Sequence, residues 1–221
     1  MTTGSTGRAE TDRLSLQLLS AALSVIRPTH IIGVDEVGRG ALAGPLLAAA
    51  VAVPTGWAGD AALTDSKQLT PRRREQLFET LREDDHVVVG LSEMSAQEID
   101  DMGVDRAQAK AQAEAVRAIL PSLQPPHLVV VDGTKPPNLH PPEVSRVLCI
   151  PRADKLVPSV SAASIAAKVL RDALMVDLAS TYPGYNLEEH KGYGTSTHMA
   201  AIQLRGPCAI HRRSFSPFRS R

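Results

Sequence analysis

Two apolar runs, residues 31–37 and 46–53, flank a glycine-rich turn, with Pro45 ahead of the second run and Pro54 behind it. Proline has no amide donor and a fixed φ, so it interrupts any helix or ladder that tries to run through it. The stretch therefore spells strand, turn, strand. The second run, eight residues of Leu, Ala and Val, is the longest apolar run in the chain. It is strand-sized and far short of the roughly 20 residues of a membrane span. Within the turn, Gly38-Arg39-Gly40-Ala41-Leu42-Ala43 also fits the G-x-G-x-x-A dinucleotide fingerprint, with Asp60 downstream at the expected remove. That fingerprint must open a helix whose N-terminus holds the pyrophosphate. Here Gly44-Pro45 and a second strand follow instead, and Asp35 and Glu36 would stand beside the anion. The nicotinamide-dependent oxidoreductase reading fails on both counts.

Along the rest of the chain, residues 1–10 are small and polar and read as a disordered start, and residues 11–26 as a helix stopped by Pro28. Thr70-Pro71 is a helix start, a cap followed by Pro at the first helical position. That helix runs to about residue 84. A strand is expected over 86–94, and Ser95 with Glu98 forms a capping box for a short helix. Helices follow over 104–120, 160–181 and 195–204, with strands at 128–132 and 147–150. A run of strands that then alternates with helices implies an α/β domain with a mixed sheet. The expected division is an N-terminal extension over 1–29, a domain over 30–182 and a small appendage over 183–221.

Charge adds a hint about partners. The chain is neutral overall, but Glu189 is its last acidic residue. Beyond it lie Lys191, Arg205, Arg212, Arg213, Arg219 and Arg221, and five of the seven aromatic residues fall between Tyr182 and Phe218. Basic groups interleaved with rings suit a nucleic-acid backbone, although a solvated tail kept for solubility reads the same charges. Cys149 and Cys208 are too few for a disulfide framework or a zinc site and read as small hydrophobes in a reduced compartment. With no apolar segment near residue 1 to act as a secretory signal, a cytoplasmic location without membrane attachment is expected.

Carboxylates supply the chemistry. Asp35 and Glu36 adjoin in a strand otherwise built from Ile, Gly and Val. A carboxylate near a core is costly unless hydrogen bonds or a cation neutralise it. Adjacent strand residues point to opposite faces, so for Glu36 to join Asp35 it must bend round or the strand must bulge. Asp132 ends the apolar run Leu128-Val129-Val130-Val131, at the strand end where sites form in open α/β sheets. Asp154 stands just ahead of the helix that carries Ser161-Ala162-Ala163-Ser164. Hard cations such as Mg²⁺ take carboxylate and water oxygens. Two of them about 4 Å apart can hold the attacking and leaving oxygens of a phosphodiester displacement. No zinc-type His/Cys spacing, nucleophile elbow or Walker loop competes.

Six blocks occur in order: DEVGRGALAGP (35–45), TDSKQLT (64–70), VDGT (131–134), ADKLVPSVSAASIAAKVLRD (153–172), HKGYGTSTH (190–198) and HRRSF (211–215). Together they resemble the bacterial ribonuclease HII family over about residues 30–218, with Ala41 standing where that pattern has Pro. The resemblance implies a ribonuclease H-like fold, a mixed five-stranded sheet flanked by helices with a helical C-terminal extension. It implies a monomeric endoribonuclease that cuts the RNA strand of RNA/DNA hybrids. The same enzyme would incise duplex DNA on the 5′ side of single embedded ribonucleotides, leaving 3′-hydroxyl and 5′-phosphate ends. Two Mg²⁺ or Mn²⁺ ions would be held by Asp35, Glu36, Asp132 and Asp154. Gly38, Arg39 and Gly40 would read the 2′-hydroxyl, with Arg39 serving a phosphate. Tyr193 would stack on the neighbouring deoxy sugar, and Lys67 and Lys168 would contact phosphates.

Overall fold

The computed structural model describes residues 3–57, 59–60, 63 and 69–218, with side chains from residue 8 onward. Five strands form one sheet: β1 (His30–Val37), β2 (Leu46–Pro54), β3 (Val88–Met94), β4 (Leu128–Asp132) and β5 (Arg146–Ile150), in the order β3-β2-β1-β4-β5. β2 runs antiparallel to β1 and β3, and β4 and β5 run parallel to β1. The expected mixed α/β sheet is what forms. Among the described residues no helix is long and apolar enough to cross a membrane.

Helices cover both faces. α2 (Pro71–Glu83), α3 (Ala96–Met102) and α4 (Val104–Ile119) follow β2 and β3. α5 (Pro158–Thr181), α6 (Leu187–His190) and α7 (Ser196–Arg205) close the chain, and α1 (Thr3–Ile26) opens it. The even residues Ile32 and Val34 of β1 and Ala48, Ala50 and Ala52 of β2 pack under α3 and α4. The odd residues Leu47, Ala49, Val51 and Val53 of β2 pack under α2 and α5. Strand alternation explains the split. α5 crosses β1 so closely that a Cβ on Gly33 would sit 2.1 Å from the Ser159 carbonyl carbon. Only glycine admits that approach, which carries the early turns of α5 up to the sheet's end.

Sequence punctuation held at the helix starts. Thr70 accepts from the Arg73 amide with Pro71 at the first helical position, and Ser95 and Glu98 complete both halves of the capping box. The N-terminus differs from expectation: α1 begins at Thr3 rather than residue 11. Its apolar side (Leu19, Ala22, Leu23, Ile26) docks beside β4 and β5. Arg152 then donates to Asp12 Oδ1 at 2.5 Å and to the Arg8 carbonyl at 3.3 Å. Small polar composition signals disorder only for a segment with nothing to dock on.

The C-terminal stretch is part of the same body. Tyr185, Leu187 and Ile202 pack on Leu42 and Ala43 of the glycine turn and on Met175 of α5. Arg212, counted from sequence among the tail's basic groups, is fully buried. Its guanidinium donates to the Gly44 and Arg39 carbonyls.

Candidate active site

A cleft of about 370 Å³ opens at the carboxyl ends of β1 and β4, lined by Asp35, Glu36, Asp132, Ser164, Lys168, Tyr193 and Arg74. Sheet register assembles its floor. Val34 pairs with Val131, so the next residues on the two parallel strands, Asp35 and Asp132, emerge side by side on the α5 face. Glu36 emerges on the other face, where Gln112 of α4 donates to its Oε2 at 2.7 Å. The β1–β2 ladder is unbroken through Asp35, Glu36 and Val37. Of the two expected routes, a bend round or a strand bulge, the bulge is therefore absent. Both carboxylates reach the cleft because it straddles the end of the strand.

Burial and mutual repulsion dominate the electrostatics. Desolvation pushes the Asp35 carboxyl up to about 8, and the neighbouring Glu36 and Asp132 charges add to the rise. A hydrogen bond from Ser164 and the Glu36 amide, 2.8 Å from Asp35 Oδ1, oppose it. Glu36 is also raised, mainly by desolvation, with Gln112 and Arg39 working the other way. Crowded carboxylates that favour the protonated form are a standing demand for positive charge.

Asp154 comes from a different element. It is 1% exposed, in the 3₁₀ turn Ala153–Lys155 packed against β4, and does not line the cleft. Its backbone carbonyl accepts from Ser161 Oγ at 2.6 Å. Lys168 lines the cleft, with its ammonium 2.7 Å from Asp172 Oδ1. Lys67 falls outside the described residues.

The glycine turn is held from beneath by cations that sequence reading did not single out. Arg171 of α5 is fully buried and donates to the Pro45, Ala43 and Lys191 carbonyls. Gly38 has φ +85°, and a Cβ there would lie 2.1 Å from Arg171 Nε. A Cβ on Gly40 would meet nothing within 4 Å. The two glycines thus differ: Gly38 makes room for protein, and Gly40 leaves open space above the turn. Arg39 is committed within the chain, bonded to Gln108 and to Asp105 Oδ1, the latter at 2.6 Å. Hydrogen bonds from Lys135 and Arg39 hold the Asp105 carboxyl down to about 2. A phosphate reaching Arg39 must displace Asp105.

The Tyr193 loop is stitched to this turn. The Leu42 and Ala43 amides donate to the Gly192 carbonyl at 2.8 and 3.2 Å. The Tyr193 ring centre lies 5.5 Å from the Arg171 guanidinium carbon. Ser164, Gln112, Arg74 and Arg171 are the site residues that sequence reading missed. Ser164 and Arg171 sat inside the recognised block 153–172, while Gln112 and Arg74 carry no local signal.

The family model for Ribonuclease HII matches residues 32–217. The chain is 44% identical over 189 residues to the ribonuclease HII of Halorhodospira halophila, covering 86% of this chain and 93% of that protein. It is 43% identical over 191 residues to that of Chlamydia abortus, covering 86% and 85%. Among solved structures, the ribonuclease H2 from Pyrococcus horikoshii OT3 superposes with a TM-score of 0.66 at 29% identity, over 86% of this chain and 95% of that one. With the sheet order, the carboxylate cleft and near-complete coverage all in agreement, the chain belongs to the ribonuclease HII family.

Proposed function

We propose that this enzyme hydrolyses the RNA strand of RNA/DNA hybrids and incises duplex DNA 5′ to single ribonucleotides, leaving 3′-hydroxyl and 5′-phosphate ends. The observation that carries the reading is the placing of Asp35 and Asp132 together at one sheet end, with Glu36 and Tyr193 on the same cleft. In this reading residues 30–182 form the catalytic domain, 183–221 brace the turn and carry Tyr193, and 1–29 are an added extension.

The donors fit a hard divalent cation, Mg²⁺ or Mn²⁺. Those at the cleft are carboxylate oxygens, and burial, with their mutual charge adding to it, raises Asp35 and Glu36. Among the described residues no group of three or more His, Cys, Asp or Glu side chains stands close enough to hold a metal ion by itself. Mg²⁺ sites typically use one or two carboxylates and leave the remaining positions to water and substrate phosphate. Asp35, Glu36 and Asp132 would hold the cations, and Asp154, which does not line the cleft, is kept as the fourth acid on the family resemblance alone. Two ions bound there would supply Lewis-acid stabilisation of charge at the scissile phosphate.

The chain's own groups do the rest. Ser164 and Gln112 orient the Asp35 and Glu36 carboxylates. Lys168 and Arg74 set positive charge on the cleft wall where a phosphate backbone would run. Open space above Gly40 lets main-chain groups approach a 2′-hydroxyl, the group that separates RNA from DNA. Lys67 is kept as a proposed phosphate contact on the family resemblance alone.

The direct test is a labelled DNA duplex with one ribonucleotide. Mg²⁺ should support a single cut whose upstream product a DNA polymerase can extend. EDTA should abolish the cut, and added Mg²⁺ or Mn²⁺ should restore it. An intact duplex, or cutting indifferent to EDTA, would sink the reading.

The glycine contrast gives a second expected result. Gly38→Ala forces a methyl onto Arg171 at positive φ, a strain of about 1–3 kcal/mol, so melting temperature and activity should fall together. Gly40→Ala meets no protein atom, so its melting temperature should hold while cleavage of the single-ribonucleotide duplex drops about tenfold, roughly 1.4 kcal/mol. Thermal melts alongside single-turnover rates separate the two. A Gly40→Ala enzyme with wild-type rates would show that nothing approaches the turn there.

A further inference from the structure

Tyr193 sits between Gly192 and Gly194, so its local chain does little to fix its ring. The Thr195 amide donates to its carbonyl at 2.8 Å, and three histidines outside the cleft stand beside its backbone, His190, His198 and His211, at 9%, 0% and 1% exposure. The His190 and His198 rings stack with centroids 4.3 Å apart. His198 Nε2 faces His211 Nε2 at 3.1 Å, and His198 Nδ1 faces the Tyr193 carbonyl at 3.0 Å.

Proton positions in this chain follow from its two ends. The backbone amide of Cys208 donates to His211 Nδ1 at 3.0 Å, and the Cys208 thiol stands 3.1 Å from the same nitrogen. His211 Nδ1 must then be the bare, accepting nitrogen, and a neutral ring carries its hydrogen on Nε2. That hydrogen points at His198 Nε2, which must accept it and so leave the His198 hydrogen on Nδ1. At the far end the Tyr193 carbonyl can only accept, which demands the same Nδ1–H independently. Both ends agree on one arrangement. His190 is fixed likewise: the Gly192 amide donates to its Nδ1 at 3.2 Å, so its Nε2–H donates to the Tyr185 carbonyl at 2.7 Å. Burial favours the neutral form of the two relay rings, lowering His198 and pushing His211 down to about 4.

His211 touches the other half of the site as well. Its backbone bridges Ala43 of the glycine turn, while its ring leads through His198 to Tyr193. We propose that His198 and His211 form a one-way imidazole relay that fixes the Tyr193 carbonyl, next to the Gly192 carbonyl held by the glycine turn, making His198 a positioning residue for substrate discrimination. The discrimination rests on the function proposed above; the relay does not.

Nitrogen NMR of the imidazoles tests the relay without substrate. His198 should show the Nδ1–H tautomer, the less common form of a free imidazole, while His211 shows Nε2–H. Finding His198 as Nε2–H, or either ring averaging between forms, overturns the relay. Two variants then test its consequence. His198→Asn retains a side-chain N–H about where Nδ1–H stands, whereas His198→Leu has no donor. The ratio of single-turnover cutting rates, one-ribonucleotide duplex over continuous RNA strand, should stay within twofold of wild type for Asn and fall at least tenfold for Leu. Equal ratios in the two variants overturn the positioning role. If the Leu variant does not fold, the Asn ratio and the wild-type tautomers still decide, since a shifted ratio with the donor kept contradicts the positioning role and the tautomers decide the relay. A wild type that cuts neither duplex overturns the function and leaves the tautomer result standing.

Discussion

Asp35→Asn is expected to lower single-ribonucleotide cleavage about a thousandfold, on the scale of losing a principal charge stabiliser, while the protein still folds and binds duplex. Amide replaces a carboxylate oxygen in the cleft but keeps its shape, so the hydrogen bond with Ser164 has a partner. A second signature follows from burial. In the folded protein Asp35 stays protonated up to about 8, against 3.8 for the ordinary group. Between those values the folded state holds a proton that the unfolded state has lost. Stability from this group must therefore fall as pH rises through that window, at most about 1.4 kcal/mol per pH unit. A bound divalent cation offsets the loss, so Mg²⁺ should raise the melting temperature more at pH 8 than at pH 5.5. Melts across that range, with EDTA and with Mg²⁺, should show the slope in wild type and a flatter one in Asp35→Asn. A variant that cuts at the wild-type rate, or melts with the same pH slope, would remove Asp35 from the centre of the site.

The split between what the sequence discloses and what it hides has a physical basis. Thr70-Pro71 and the Ser95/Glu98 box act within one helical turn, so a local reading finds them. Asp35 and Asp132 stand out because carboxylates ending apolar strands are costly without a reason. Their supports are long-range. Gln112 meets Glu36 from α4, 76 residues away in sequence, and Arg171 reaches Pro45 across 126 residues. An arginine on a helix or in a basic tail reads as solvated, yet Arg171 and Arg212 are wholly buried and donate to backbone carbonyls. Composition also misleads at residues 3–10, which belong to α1 rather than to a disordered start. Strand alternation set Asp35 and Glu36 on opposite faces correctly, and only the cleft's position at the strand end lets both line it.

Tyr193→Ala should slow cutting at a lone ribonucleotide about a hundredfold, the cost of misplacing reacting groups by about 1 Å, while weakening binding much less. The proposed role of the ring is to seat the deoxy sugar next to the ribonucleotide. Its position suits that role, on the cleft wall with the carboxylates and 5.5 Å from the buried Arg171 guanidinium. A 2′-hydroxyl on that neighbouring sugar would crowd the ring and tilt the scissile phosphate. Wild type should therefore favour an RNA-to-DNA junction over a continuous RNA strand, and the Ala variant should lose most of that preference. Tyr193→Phe keeps the stacking face and should retain it, because the sugar meets the ring and not the hydroxyl. Single-turnover rates on the two duplexes give the ratio directly. An Ala variant with the wild-type ratio would mean that Tyr193 only packs against Arg171. The junction would then be read by the glycine turn alone, where Gly40 leaves the open space.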